Sequence, residues 1–297
     1  MKPAGRALQR WGGLALGALL SSCAGSARSL KTEDEARTLV PVPICLERLP
    51  RRATPGSIVS LEAGEYWSLL MPGFAAGAAA LDPTAPDCSG RSRLENTVGG
   101  KAPRPIHAEE VVLGTGSDGF RVAWLPLLAK EDSRLGVLAL VRQRKEFLEV
   151  YALGTHQGSV GSTRLSLERM GPALVVAVLE EHCRGAEGER RCDAWCTVYL
   201  LGNGQLSERA RFPVDHSADS RVSAAAGAAE YRFTASAEYQ PSGIALSEKL
   251  SVLEKGRGEV RSLALERTLR LERDRLVPST DSLWAQTARQ LGLPEAP

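Results

Sequence analysis

Four side chains between residues 182 and 196 carry the atoms that bind metal ions. His182, Cys183, Cys192 and Cys196 form a His/Cys₃ set, which is one of the ligand sets of structural zinc sites. Adjacent residues on a strand point to opposite faces, so His182 and Cys183 cannot both turn toward one ion if this segment is extended. We therefore expect no metal and no cofactor, and zinc bound by these four residues is the alternative.

Acid and base groups lie together in two short segments. Glu180-Glu181-His182 supplies paired carboxylates of the kind that can act on a glycosidic bond. Asp215-His216-Ser217 has the residue types of a hydrolase triad, but sequence neighbours seldom hold triad geometry, and the chain has no G-x-S-x-G elbow. We interpret the first segment as exposed charge at a strand end, and we expect no catalytic residue in either segment. Hydrolysis through either segment is the alternative.

A glycine-rich segment has the letters of a nucleotide-binding motif. Gly114-Thr115-Gly116-Ser117-Asp118-Gly119 matches G-x-G-x-x-G, which requires a following helix whose N terminus meets the pyrophosphate. Residues 120–126 instead alternate in polarity and end in a proline, which is typical of a strand. The pattern therefore predicts a hairpin loop.

The whole chain has the composition of a globular protein. It contains 297 residues, of which 43% are hydrophobic, with 37 Lys+Arg against 35 Asp+Glu. This length is enough for one large core or two smaller ones. Charges of both signs are interspersed without a basic stripe, which argues against a nucleic-acid partner.

Residues 1–22 have the layout of an export signal. Lys2, Arg6 and Arg10 precede an apolar run from Trp11 to Leu20. A run of about ten residues is too short to cross a bilayer as a helix, which needs about 20 residues. The signal therefore predicts export without a transmembrane anchor.

The signal ends in Leu20-Ser21-Ser22-Cys23, which resembles the lipobox of bacterial lipoproteins. The resemblance implies cleavage before Cys23, a lipid on its sulfur, and acylation of the new amino group by a chain such as palmitate. The Arg, Ala and Gly richness and the closing segment 281–286 are similar to those of uncharacterised myxobacterial lipoproteins. The implied location is the outer membrane or another periplasm-facing membrane, and an ordinary cleaved signal is the alternative.

Five cysteines remain once Cys23 is assigned to the lipid. Export places them where disulfides persist, which also weakens the zinc alternative, and their odd number leaves one thiol over. A bridge within the 183–196 cluster would close the polar loop 184–191. We favour the pairs Cys45 with Cys88 and Cys183 with Cys192, and Cys196 as the spare thiol.

The elements that position these residues are mostly strands. After a polar tether over 23–38, apolar runs alternate with turn residues, and the Asn203-Gly204 pair predicts a tight hairpin. The candidate strands are 57–62, 66–70, 109–113, 119–126, 136–142, 146–153, 163–169, 173–182, 195–201, 206–212, 230–239, 244–254, 259–272 and 275–277.

These strands predict a single all-β domain over residues 39–297. Many strands joined by short turns favour an antiparallel sandwich or a partly closed barrel, with a small β-propeller as the alternative. A helix over 280–291, capped near Asp281 and ended by Gly292 and Pro294, is expected to cover the sheet.

Together these features predict a lipid-anchored protein with a non-catalytic binding or structural role in the cell envelope. Its expected partners are the membrane, through the N-terminal lipid, and an envelope protein or polymer. An envelope hydrolase is one alternative. A lipid or lipoprotein carrier is another, and it would require a wide apolar cavity inside the sheet.

Overall fold

The structure is a computed structural model that describes most of the chain after residue 41. The described ranges are 42–49, 61–74, 80–82, 84–94, 104–105, 110–116, 118–130, 133–184, 191–220, 229–254 and 256–291. The predicted signal over 1–22, the tether over 23–38 and the lipidation site Cys23 lie outside these ranges.

Strands dominate the described residues. The two helices within the described residues are α1 (Ala63–Leu70) and α2 (Leu283–Leu291). The strands are β1 (Cys45–Arg48), β2 (Ala80–Leu81), β3 (Arg104–Pro105), β4 (Val112–Leu113), β5 (Phe120–Lys130), β6 (Ser133–Arg144), β7 (Phe147–Gly158), β8 (Thr163–Met170), β9 (Ala173–Arg184), β10 (Arg191–Gly202), β11 (Gln205–Ser220), β12 (Ala229–Gln240), β13 (Gly243–Glu254), β14 (Gly258–Glu272) and β15 (Arg275–Pro278).

Tight turns join several consecutive strands into hairpins. Between β10 and β11, Asn203 and Gly204 have φ angles of 50° and 70°, which is the mirror-image turn that matches the twist of a hairpin. Gly204 is also necessary for space, because a Cβ there would lie 2.5 Å from Ile44 Cγ2. The predicted Asn-Gly hairpin is confirmed.

Thirteen strands form one sheet, which is not closed. Its main path is β15-β14-β13-β12-β11-β7-β6-β5-β4, with β10, β9 and β8 continuing from β11 and with β1 paired to β7. Nearly all pairs are antiparallel, and β2 and β3 form a separate two-stranded sheet. The all-β prediction is confirmed. A propeller would need separate blades, whereas the described strands form one continuous sheet.

Two halves of this sheet pack against each other as a sandwich. Side chains from β5–β7 and from β8–β11 meet in one buried core that includes Trp124, Leu138, Val176 and Tyr199. A parallel bridge between Thr115 and Ser166 joins the halves along one side. A parallel contact between Leu153 and Gln205 joins them along another side.

The outer faces of both halves are also covered. Helix α1 and the first described segment pack on β5–β7 through Tyr66, Trp67 and Leu70. Strands β13–β15 fold back over β9 and β10, and α2 covers an adjoining core that contains Phe233 and Leu250. The domain is therefore layered, and strands at its centre are buried on both faces.

Helix α1 corrects one prediction, because residues 66–70 are helical and not a strand. Tyr66, Trp67 and Leu70 are buried on one side of the helix, and Glu62 and Glu65 form a capping box at its start. The predicted C-terminal helix is confirmed as α2. Neither described helix has the length and apolar character needed to span a bilayer.

Candidate functional site

A row of polar and aromatic side chains lies on the face of β9–β11 that points toward β7 and α2, and it includes His156 of β7. In the register of β9 and β10, Glu180 lies opposite Trp195 and His182 lies opposite Asp193. Residues directly opposite in an antiparallel pair share a face of the sheet. We name this set the polar row, and its members are His156, Glu180, Arg211, Trp195, His216 and Asp193.

The inner half of the polar row is centred on His156. Its Nδ1 lies 2.9 Å from the Tyr199 hydroxyl oxygen, and its Nε2 lies 3.6 Å from Glu180 Oε1. The Trp124 indole N–H donates to the backbone oxygen of His156 at 3.1 Å, and the two rings pack edge to face. Four strands, β5 and β7 of one sandwich half and β9 and β10 of the other, are thereby joined by polar contacts inside the core.

Burial sets the charge state of this half. Desolvation, with a smaller contribution from Arg211, lowers the pKa of His156 to about 4, so the ring is neutral at pH 7. Desolvation also raises the pKa of Glu180, although the nearby Arg211 guanidinium opposes this. The neutral ring carries one proton, and its tautomer decides whether Nδ1 donates to the Tyr199 hydroxyl or accepts from it.

Arg211 connects the inner and outer halves. One guanidinium nitrogen lies 3.6 Å from Glu180 Oε2, and the guanidinium carbon lies 5.4 Å from the centre of the Trp195 ring. This is a cation–π arrangement, in which the Arg211 guanidinium lies over the Trp195 ring. Arg211 is the most exposed member of the polar row, with 41% of its side chain accessible, whereas Trp195 is almost fully buried.

The outer half pairs His216 with Asp193. His216 Nδ1 lies 2.5 Å from Asp193 Oδ1, and the two side chains are 11% and 23% exposed. The His216 ring packs edge to face on Trp284 of α2, with centroids 4.4 Å apart. The Nδ1–Oδ1 contact is close but does not have hydrogen-bond geometry, so Asp193 lies beside the imidazole without a hydrogen bond that fixes the ring.

The three residues of the predicted Asp215-His216-Ser217 alternative do not form a triad. They alternate along β11, and the partner of His216 is Asp193 on the neighbouring strand. Ser217 contributes its backbone N–H, which lies 3.4 Å from Asp193 Oδ1. Burial raises the pKa of Asp215, with Arg232 opposing the shift.

Sequence spacing missed Asp193 because two bulges interrupt the β10–β11 hairpin. At the turn, Gly202 lies opposite Gln205. Without bulges, the same register would continue along the hairpin and would place residue 193 opposite residue 214. Register shifts at Val198/Tyr199 and Ala194/Trp195 each add one residue to β11. The two insertions bring His216 to the position opposite Asp193.

The segment Glu180-Glu181-His182 divides between the two faces of β9. Glu180 points inward to His156, whereas Glu181 lies on the other face, with an oxygen 3.6 Å from Arg164. The close partner of Glu180 is therefore His156 on β7, a residue that the sequence pattern did not connect with it.

The predicted bridge between Cys45 and Cys88 is present, with Cα atoms 5.9 Å apart. Cys183 lies opposite Cys192 in the β9–β10 register, but both side chains lie outside the part of the chain that can be described, so their pairing stays a prediction. Cys196 is a buried free thiol 3.9 Å from the Tyr239 hydroxyl, and burial raises its pKa to about 11.

One of the remaining sequence motifs has a clear structural outcome. The glycine-rich segment is the turn that precedes β5, with positive φ at Asp118 and Gly119, so the hairpin prediction is confirmed. Within the described ranges, no three His, Cys, Asp or Glu residues are grouped so that they could hold a metal ion.

No family model, curated protein or solved structure matches this chain.

Proposed function

We propose that this chain is a lipid-anchored protein of the cell envelope with a non-catalytic binding or structural role. The observation that supports this most directly is the burial of the inner half of the polar row. His156 and Glu180 have only 2% and 4% of their side chains exposed, and the closest approach of His156 Nε2 to the Glu180 carboxylate is 3.6 Å. Titratable groups that are covered in this way do not meet a substrate.

The outer face of β12–β14 is the surface that this proposal assigns to binding. Thr234, Ser236 and Glu238 of β12 are exposed there, and across the sheet the Ser247 hydroxyl donates to Glu266 at 2.8 Å. The opposite face of these strands packs on buried cores. A sheet that is fixed from behind can present these polar groups in a constant arrangement.

The anchor in this proposal is the lipid on Cys23, and the segment that follows it sets the reach. The predicted tether covers residues 23–38, which lie outside the described residues. A flexible segment of that length would span about 55 Å when fully extended and about 22 Å as a coil. The domain would therefore stay near the membrane while its sheet face remained free to turn.

The carrier alternative is less well supported than a binding role. A carrier needs space between the two sheet halves, and Trp124, Leu138, Val176 and Tyr199 occupy that space with at most 3% of each residue exposed. Loading a lipid there would require the halves to separate.

An envelope hydrolase is the second candidate, and the His216–Asp193 contact is the observation that favours it. Hydrolases pair a catalytic imidazole with an Asp at Nδ1, and here Asp193 Oδ1 lies 2.5 Å from His216 Nδ1, although the contact does not have hydrogen-bond geometry. Such an enzyme would also need a nucleophile or a bound water at Nε2.

We expect Cys23→Ser to abolish membrane anchoring. In the native host, the variant should incorporate no labelled palmitate and should move from the membrane fraction to the soluble fraction, because the acyl chains that supply about 0.8 kcal/mol per buried CH₂ are missing. Ser26→Ala, three residues further on, is the control and should fractionate like the unmodified protein. Unchanged processing and fractionation of Cys23→Ser would refute the anchor.

We also expect a photo-crosslinking residue at Ser236 to capture a discrete envelope component from the anchored full-length protein. The same residue at Arg164, a 76% exposed position on β8, is the control and should capture little. Adding His216→Gln should not reduce capture at Ser236, because His216 faces inward. No capture at Ser236, together with an ester or glycoside hydrolysis that His216→Gln removes, would support the hydrolase instead.

A further inference from the structure

Helix α2 covers the outer half of the polar row. Trp284 is fully buried, and its ring lies against His216 on one side and 6.4 Å from the Phe233 ring on another. Leu283 and Ala288 are also buried in this core. Removing α2 would therefore uncover both the His216 imidazole and an apolar groove.

The helix has few means of holding its own shape. It has nine residues, and isolated helices shorter than about 12 residues are marginal in water. Its local contacts lie within the segment itself: the Ala285 N–H donates to Ser282 Oγ at 3.1 Å, and Arg289 pairs with Asp281. Only residues 279–282 join it to β15.

One hydrogen bond ties the start of α2 to the sheet. The Leu283 N–H donates to Glu248 Oε2 of β13 at 2.7 Å, and the Arg267 guanidinium of β14 holds the other carboxylate oxygen at 2.5 Å. The docked helix also leaves the Trp284 indole N–H buried without a partner in the described residues. An unpaired buried donor opposes docking, because in the open state it would bind water.

We propose that α2 is a lid that opens as a unit while the sheet beneath it stays folded. Opening exposes His216 and Asp193, together with a groove floored by Phe233 and Leu250. Closing returns Trp284 to this groove and the Leu283 N–H to Glu248. The inference goes beyond the proposed binding face on β12–β14 and does not depend on the lipid anchor.

Native-state hydrogen exchange of the full-length protein tests this directly. We expect the Thr287 and Ala288 amides to exchange at least about 100-fold faster than the β13 amides of Leu246 and Leu250, with little dependence on low denaturant concentrations. Exchange of α2 and β13 at one common rate, with the same steep denaturant dependence, would overturn the proposal because the helix would then open only when the whole domain unfolds.

Two variants that act within the helix segment sharpen the test. Ser282→Ala removes the hydroxyl that accepts the Ala285 N–H, and Ala285→Gly lowers helix propensity. Each should raise α2 exchange about fivefold without changing β13 exchange. Ser247→Ala, on the outer face of β13, is the control and should change α2 exchange by less than about twofold.

The rate at which diethyl pyrocarbonate modifies His216 measures how often α2 uncovers this side chain. In Ser282→Ala, the modification rate of His216 should rise by the same factor as α2 exchange, while Ser247→Ala leaves it unchanged. A His216 rate that stays constant while α2 exchange rises would show that the helix does not guard this site and would overturn that part of the proposal.

Discussion

Replacement of Gly136 by alanine should lower the free energy of unfolding by about 3 kcal/mol or more, because a methyl group has no space there. Gly136 is buried in β6, and an ideal Cβ would lie 2.0 Å from the backbone oxygen of Leu125 and 2.7 Å from the Trp124 indole nitrogen. The same indole N–H binds the backbone oxygen of His156. The substitution should therefore disrupt the inner half of the polar row as well as the β5–β6 pairing.

Chemical denaturation, with near-ultraviolet circular dichroism as a reporter of the buried tryptophans, measures this effect. Gly161→Ala is the matched control, because no atom lies within 4 Å of the added Cβ at that position. It should change stability by no more than about 0.5 kcal/mol. A Gly136→Ala protein as stable as Gly161→Ala would mean that β5 and β6 are not packed as described.

Arg267→Ala is the second substitution with a large expected effect. It removes the partner of Glu248, whose side chain is completely buried, and a buried carboxylate without its cation typically costs about 3–5 kcal/mol. Because Glu248 also binds the first N–H of α2, we expect the loss to affect the helix and the β13–β14 pair together. Denaturant unfolding followed by both far- and near-ultraviolet signals is the measurement.

The control for this prediction is Arg270→Ala, an exposed position on the same strand, which should change stability by less than about 0.5 kcal/mol. The double variant Arg267→Met with Glu248→Leu should recover much of the loss, because apolar side chains of similar volume often replace a buried ion pair at little cost. An Arg267→Ala protein that is as stable as the control would exclude a structural role for the pair.

Local signals predicted the hairpins well because their information is contained in a few neighbouring residues. The Asn203-Gly204 turn requires two positive φ angles, and this dipeptide is among the few that adopt them readily. The strand predicted over 66–70 was wrong because a short apolar run fits a strand and a buried helix equally. The capping box from Glu62 to Glu65 was the signal that distinguishes the two possibilities.

The candidate site depended on information that a linear pattern does not contain. His156 and Glu180 belong to strands that are not neighbours in the sheet, and they meet only because the two halves of the sandwich face each other. His216 meets Asp193 only because two bulges shift the hairpin register. Long-range packing in the first case and irregular pairing in the second therefore decide which titratable groups come together.

The Cys45–Cys88 disulfide would have a mechanical consequence if the domain is held by its N terminus, as the proposed anchor requires. A pull on the preceding segment enters the domain at β1, a four-residue strand that hydrogen bonds alone would let unzip from β7. The covalent bond carries this load from Cys45 directly to Cys88, whose backbone N–H binds the Leu70 oxygen at the end of α1. Under the proposed anchor, tension on the N-terminal segment would thus be shared with α1 and the core beneath it.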